Sequence, residues 1–581
     1  MPRKAMLLVA DADQLAPGQR IWGTGGWQPP ESREALDWLT LARLCGWQVS
    51  IASLAEGELV ETGLRGVRDD GTHWIVLACN PNVQNARLAD WLSERLHRER
   101  VVVVMRAPRG TGPLAELAGA VQCPDVVSGD HVSWIGAGSR VGWRCPNPVM
   151  MQGLDIDAWS EPLASLEGRT IIASRTYGLG AVLSLGFHPS QARDAAGCFS
   201  ALLKHMLVHA AREPVATLDF DNTLVLRMDD PGGAQNVHSR DWYHSKLSEP
   251  DWSDITARLA ARDARVSIAY VGGWVDDGDP MRGDLRVAGA AVERVAGQVL
   301  PSAQVCYTDR AGHGPGTIHD YESEFRGIEV LRHAARGDVE LHGHTHMHPD
   351  TQAWAAAPDR YESTHWFREL GKPASATIAA RDADQHPLAV GLQSLQRQFG
   401  AAPTTLVSPG DEWTESALER ALDLGIRLVD SYYLALRYEG HLCWCQHVCA
   451  PYLDEAAPAW FAAGLPVVGY FHDRDLAMHG AAWLTACLDS WRDAGARRFI
   501  DFRELAGAVD RTLDFTVADG QAHLTVAGLD AVPLVRPLRL NLHVPRGNLP
   551  DQLDVLHQGR SITLPIRAPN GGRSGFVTLP V

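Results

Sequence analysis

Cysteine is scarce in this chain: Cys45, Cys79, Cys123, Cys145, Cys198, Cys306, Cys443, Cys445, Cys449 and Cys487 are the ten among 581 residues. Thiols this sparse do not build a disulfide framework. Long apolar runs are missing too. Nothing approaches the about 18 consecutive apolar residues of a membrane-spanning helix, so no membrane span is expected. The N-terminal stretch "MPRKAMLLVADADQ" starts basic, but its apolar run stops at Asp11. That is too short for a signal peptide and reads as a first β-strand. A cytoplasmic location is the expectation; a secreted or periplasmic one follows if a natural leader has been removed. Cationic residues are also in deficit, with 53 Lys and Arg against 70 Asp and Glu and a formal net charge of −17. Such a balance argues against a polyanionic partner such as nucleic acid. Low-complexity tracts and internal repeats are absent.

What is present is ordinary globular material, 45% hydrophobic and 21% charged. The length calls for roughly two to four domains, and three zones appear. Residues 1–213 alternate strand-like runs ("KAMLLVAD", "WIVLACN", "RVVVVMRAP", "GAVLSLGFHP") with helical stretches such as "ESREALDWLTLARLCG". That rhythm predicts an α/β domain with a mostly parallel sheet. "AREPVATLDF" reads as a join. Residues 214–510 resume the alternation with more polar residues at the strand ends. Residues 511–581 turn to short alternating strands with the Asp519-Gly520 turn signal, which predicts a small β-sandwich. Sequence alone leaves the oligomeric state open.

The middle zone carries the chemistry. "VLRMDDPGG" ends a strand with Asp229-Asp230, and "ELHGHTHMHPD" ends another with His342, His344, His346 and His348. "TTLVSPGDEW", "IRLVDSYY" and "PVVGYFHDRDL" are further strands finishing in polar residues. Functional groups at the ends of successive strands are what a β/α barrel presents on its C-terminal face. On a regular strand His342, His344 and His346 share a face, so periodicity alone favours that trio as metal ligands.

Together these motifs resemble the NodB-type polysaccharide deacetylases, carbohydrate esterase family 4 and its relatives. That family has an Asp-Asp pair after the first barrel strand, then Glu-x-x-x-His-[Ser/Thr]-x-x-His-Pro. Here the second pattern reads Glu340, His344, Thr345, His348, Pro349. A proline-bearing strand end, an Asp after a hydrophobic strand and a hydrophobic-x-His-Asp motif follow in order at Pro409, Asp430 and His472. The resemblance implies a deformed β/α barrel for the middle zone; with the readings of the outer zones, the chain is expected to be a flavodoxin-like α/β domain, that barrel and a small β-sandwich. It implies Asp230, His344 and His348 as ligands of one divalent metal, zinc, with cobalt or nickel as alternatives. Two imidazoles and a carboxylate would leave such an ion an open position. The implied general base is Asp229 and the implied general acid His472. The reaction implied is removal of an N-acetyl group from an amino sugar or polysaccharide. A cytoplasmic location favours an alternative, hydrolysis of another C–N bond in a small amide or biosynthetic intermediate. A carbohydrate-binding protein with a retired barrel is a third reading, which the intact motif set opposes.

The family's third motif usually carries an Arg that orients the base, and "VSPGDEW" has none. Pro409, Asp411, Trp413 and Asp430 are candidate substrate-lining residues. Residues 276–337, with "RAGHGPG", are longer than a simple crossover and are expected to form a loop over the site. "ATLDFDNTLV" places Asp219, Asp221 and Thr223 in the nucleophile pattern of haloacid-dehalogenase phosphatases, but no downstream Lys–acidic pattern accompanies it. A hairpin turn into the first barrel strand is the preferred reading there. "HLCWCQHVC" (441–449) offers thiols and histidines without a standard zinc spacing. "GLGAVLSLGFHPS" resembles the non-catalytic relatives of class I glutamine amidotransferases. Their Gly-x-Cys-x-Gly nucleophile elbow is missing, and Cys79 in "VLACNPN" reads as a core thiol.

Overall fold

The structure, a computed structural model, describes residues 5–11, 34–54, 72–78, 85–136, 141–189, 198–431, 434–438, 441–445, 449–450, 461, 464–529, 532–568 and 572–581. Cys79 and His447 lie outside the described residues. The fold is mixed α/β, built on three main β regions.

The first is a nine-stranded sheet. Its parallel half runs Val49–Leu54, Met6–Asp11, Trp74–Ala78, Val102–Arg106, Gly180–Leu185. An antiparallel half continues through Arg169–Tyr177, Ser160–Leu166, Ala120–Trp134 and Val141–Ile156. The parallel strands are continuous apolar runs because both of their faces are covered. Alternate residues feed different cores: Leu8, Val76, Val102 and Val104 one, Leu7, Val9, Ile75 and Val103 the other. The antiparallel half departs from the mostly parallel expectation. Its strands carry many exposed residues, so no apolar run marks them in the sequence.

The second region is a ten-stranded curled sheet, consistent with a deformed barrel. Its path is Cys449–Ala450, Val467–His472, Thr223–Asp229, Val266–Tyr270, Gly337–Leu341, Thr405–Val407, Leu428–Asp430, Leu434–Tyr438, His441–Cys445. Arg498–Ile500 pairs with the start of Thr223–Asp229. The pairing is parallel except at the two hairpin steps after Asp430. Parallel order puts the C-terminal ends of the strands at one rim, which is where the chemistry-bearing motifs sit.

The third region comprises a four-stranded sheet (Arg511–Ala518, Gln521–Gly528, Gln552–His557, Arg560–Pro565) and a three-stranded one. Asp519 and Gly520, at φ +51° and +78°, form the tight turn of its first hairpin. The three-stranded sheet pairs Leu538–His543 with Ser574–Leu579 and with Val215–Leu218. The expected join at 214 is therefore a strand of the C-terminal region, and residues 219–222 turn between two different sheets rather than forming a hairpin. Asp219 in that turn is held by Arg539 at 2.9 Å and accepts from Asp221 N–H at 2.9 Å. Among the described residues no helix is long and apolar enough to cross a membrane, which says nothing of β-barrels.

Candidate metal centre

The site begins on the strand Thr223–Asp229, "TLVLRMD", buried along its whole length. Residues two apart on a strand share a face, so Arg227 and Asp229 project together. The Arg227 Nε lies 2.8 and 3.0 Å from the two Asp229 carboxylate oxygens, and Nη2 lies 2.6 Å from Oδ2. The other arm of the guanidinium donates to Asp430 Oδ2 and, at 3.0 Å, to the Ser431 carbonyl. Its face covers the Tyr470 ring at 4.4 Å. Arg227 thus supplies, from the base's own strand, an orienting cation that the third motif lacks. The signal is in "LVLRMDD": a charged residue inside a fully buried strand requires a partner, and Asp229, two residues on and so on the same face, is within reach.

Asp230 follows at φ +80°, a left-handed conformation that is rare for a residue other than glycine. The kink turns its carboxylate toward the histidine loop. Oδ1 lies 3.2 Å from His342 Nε2 and 3.5 Å from His346 Nε2. Oδ2 accepts from the Trp242 indole N–H at 3.0 Å. Burial opposes ionisation of Asp230, but the His342 hydrogen bond and the neighbouring His346 and His472 outweigh it and hold the carboxyl well below its usual range.

Asp230, His342 and His346 together offer three donor atoms within 4.8 Å of one another, all buried. Of the expected set Asp230, His344 and His348, the structure brings only Asp230 into this cluster. His344 turns the other way, its ring against Gly273 and its carbonyl accepting from Gly273 N–H at 2.7 Å. His348 packs edge-on to Trp366, its Nε2 3.3 Å from the Pro373 carbonyl and its Nδ1 accepting from Asp350 N–H at 3.2 Å. Neither joins Asp230. The physical reason is a backbone reversal. Gly343 and His346 both take left-handed φ, +69° and +57°, which breaks the strand periodicity after His342 and brings position 346 back to the same side.

The donor set fits a divalent metal. His342 Nδ1 lies 3.0 Å from the Val407 carbonyl, which orients the ring with Nε2 toward Asp230. Against the effect of burial, the hydrogen bond to that carboxylate raises the His342 pKa, and Nε2 would give up its proton to a bound cation. His346 Nδ1 is buried with no hydrogen-bond partner, while its Nε2 accepts from Gly410 N–H at 3.1 Å. Burial pushes the His346 imidazole down to about 4, so the ring is neutral, and its Nε2 lone pair would exchange the Gly410 N–H for a cation. One carboxylate and two imidazoles, which are neutral when they bind a metal, are a borderline-metal set.

His472 ends the strand next door, in register with Asp229. It also begins the helix Asp473–His479, and its backbone N–H donates to Asp475 at 2.8 Å. Burial works against its protonation. The Asp475 carboxylate, 3.6 Å from Nδ1, and the charges of Asp230 and Asp229 override that and lift it to about 9. The Trp242 ring stands edge-on to it at 5.0 Å.

The remaining sequence candidates take supporting positions. Burial lifts Asp430 to about 7 against the pull of Arg227, and this fully buried residue anchors that cation rather than lining a substrate groove. Asp411 lies 3.8 Å from Arg227 and accepts from the Ser431 hydroxyl at 2.9 Å. Pro409 is buried and packs toward Gly343. Trp413, 3% exposed, is part of the barrel's hydrophobic core and presents no stacking surface. Glu340 accepts from Thr404 and Thr405 N–H at 2.7 and 2.8 Å, tying two strands together. Within the long insertion, Asp276 and Asp277 pair with Arg294, and His313 packs edge-on to Tyr243 of the segment that bears Trp242. Trp242 and Arg227 are the residues that sequence reasoning missed.

No protein-family model matches the chain, and no curated protein matches it. Among solved structures it is similar to the carbohydrate deacetylase Agd3 at 11% identity, with 99% of this chain and 98% of that one covered and a TM-score of 0.41. The carbohydrate esterase family 4 pseudoenzyme BA3943 from Bacillus anthracis is 8% identical over 49% of this chain and 66% of its own, at a TM-score of 0.25. The cold-adapted β-galactosidase from Rahnella sp. R3 is 15% identical over 35% of this chain and 31% of its own, at 0.24. Likeness at these levels does not specify an activity.

Proposed function

We propose that the protein is a metal-dependent deacetylase that hydrolyses an N-acetyl group of an amino sugar or polysaccharide. The observation that carries the reading is the convergence of Asp229, Asp230, His342, His346 and His472 at the C-terminal rim of one parallel sheet. A carboxylate aligned by an arginine stands beside a three-donor metal site, with a protonated imidazole next to both.

Asp230, His342 and His346 would hold the ion, zinc by preference, with cobalt or nickel acceptable to the same donors. When bound, it would supply Lewis acidity toward the acyl carbonyl and lower the pKa of a neighbouring water. The protein's own groups do the rest. Asp229, fixed by Arg227, takes the proton of the attacking water. Trp242 occupies Asp230 Oδ2 and so leaves Oδ1 for the cation. His472, charged at neutral pH, delivers a proton to the departing amine, which leaves poorly without one.

The test is acetate release by purified, metal-loaded protein from N-acetylglucosamine oligomers, with small acetamides in parallel. Turnover of the oligomers that vanishes with chelator and returns with zinc or cobalt supports the reading. Turnover of the small amides alone moves the substrate class to the other C–N hydrolysis. No acetate from either sinks the deacetylase.

A further inference from the structure

The loop bearing the histidines is wrapped around a carboxylate from a different part of the chain. Glu369, just beyond the short helical turn Thr364–Phe367, is 1% exposed. Its Oε2 accepts from the backbone N–H of His344 at 2.8 Å and of His346 at 3.1 Å. Its Oε1 accepts from Thr345 N–H at 3.0 Å and from the Thr345 hydroxyl at 3.1 Å. Three consecutive amides therefore converge on one buried side chain. Consecutive N–H groups point the same way only when the backbone departs from an extended strand, the concave arrangement that binds anions.

We infer that Glu369 is a positioning residue for the metal centre, and that its carboxylate selects His342 and His346 as the pair facing Asp230. This rests on the metal-dependent reading above. An extended backbone would point the 344, 345 and 346 amides in alternating directions, and one carboxylate could not collect them. Curling the chain around Glu369 requires left-handed φ at Gly343 and His346, and that curl returns His346 beside His342, with ring centroids 4.9 Å apart. The same curl turns His344 toward Gly273. Gly343 belongs to the device: a Cβ there would fall 2.0 Å from Glu369 Oε2 and 2.7 Å from Pro409 Cγ. Charge-assisted bonds from the amides hold the loop in place before any cation arrives.

The experiment compares the full chain, stripped of metal, with Glu369→Gln and Gly343→Ala. Glutamine keeps the shape but leaves one acceptor oxygen and sets an NH2 group against a backbone N–H. Cobalt affinity is read by competition with a chromophoric chelator, the Co(II) absorption bands report ligand geometry, and melting of the metal-free chains reports the fold. Glu369→Gln should bind cobalt roughly 10–100-fold more weakly, the usual effect of an outer partner of a metal ligand. Its Co(II) bands should change while the metal-free chain still melts cooperatively. Wild-type affinity and bands in Glu369→Gln overturn the inference. If that variant does not fold, Gly343→Ala decides by the same measurements: weaker binding with altered bands supports the role and wild-type behaviour overturns it. A wild-type chain that takes up no cobalt or zinc removes the metal reading and this inference with it, an outcome distinct from tight binding that ignores Glu369.

Discussion

Arg227 and Asp229, two residues apart on one strand, form a forked ion pair in which the guanidinium meets both oxygens of the carboxylate. The pair lies in the barrel interior, with Asp430 on the far side of the same cation. A planar fork fixes the carboxylate in angle as well as position, which a lysine ammonium does not. Arg227→Lys should therefore keep most of the stability and lose activity by roughly 10–100-fold, the scale of a lost orienting partner. Arg227→Met should do something different. It strands Asp229 and Asp430 without their cation and should lower stability by about 3–5 kcal/mol. Urea denaturation and acetate assays on the two variants separate the effects; equal activity loss with no stability difference would refute the orienting role.

Metal content distinguishes the two histidine pairs. His342→Ala and His346→Ala each remove a donor next to Asp230, so purified protein should carry little zinc after dialysis. His344→Ala and His348→Ala remove side chains that face Gly273 and Trp366, and should retain it. Elemental analysis of the four variants gives the answer. Retention by His346→Ala with loss in His348→Ala would restore the pair implied by the family pattern.

Much of this centre was legible in the sequence, and the part that was not has a physical cause. Asp229, Asp230 and His472 could be located because polar residues that end apolar strands stand out in any single sequence. The choice among four alternating histidines could not be made that way. It depends on φ at Gly343 and His346 and on a carboxylate about 25 residues downstream, which neither strand periodicity nor a motif encodes. Arg227 escapes for the opposite reason: strand periodicity places it in an apolar run but names no partner for its charge. The strand Val215–Leu218 looks like a join in the sequence because four residues, VATL, carry no record of which strand they will pair with.

Lys246 tests the packing behind the acid. Its ammonium is buried, 3.1 Å from Glu324 and bonded to Asp473, and lies 5.1 Å from the Tyr321 ring centre. Burial disfavours its charge, but those two carboxylates more than compensate and hold its pKa above the ordinary lysine value. Lys246→Met leaves two buried carboxylates facing each other and should cost about 3–5 kcal/mol. Lys246→Met with Glu324→Gln should regain part of that, because one of the stranded charges is gone. A double variant no more stable than the single one would mean that the pair does not share this cation.

His472 connects structure to pH. Its folded value of about 9 lies above the ordinary 6.5, so the imidazole is charged through neutrality and loses its proton as the pH rises through the folded value. The stability its charge contributes is complete below about 6.5 and is lost on the way to 9. Part of that elevation comes from Asp230 and Asp229. A cation bound to Asp230 neutralises one of these sources, so metal loading should move the His472 titration downward. NMR of the imidazole protons in metal-free and zinc-loaded protein reads this directly, and an unchanged titration on loading would separate His472 from the centre. In the rate, the alkaline limb should follow the loaded value. His472→Ala should remove that limb and lower amide turnover by roughly 10²–10⁴-fold, the contribution of one acid–base group. Activated esters, whose leaving groups need no proton, should suffer much less. Equal losses on amides and activated esters would show that His472 does not protonate the leaving group.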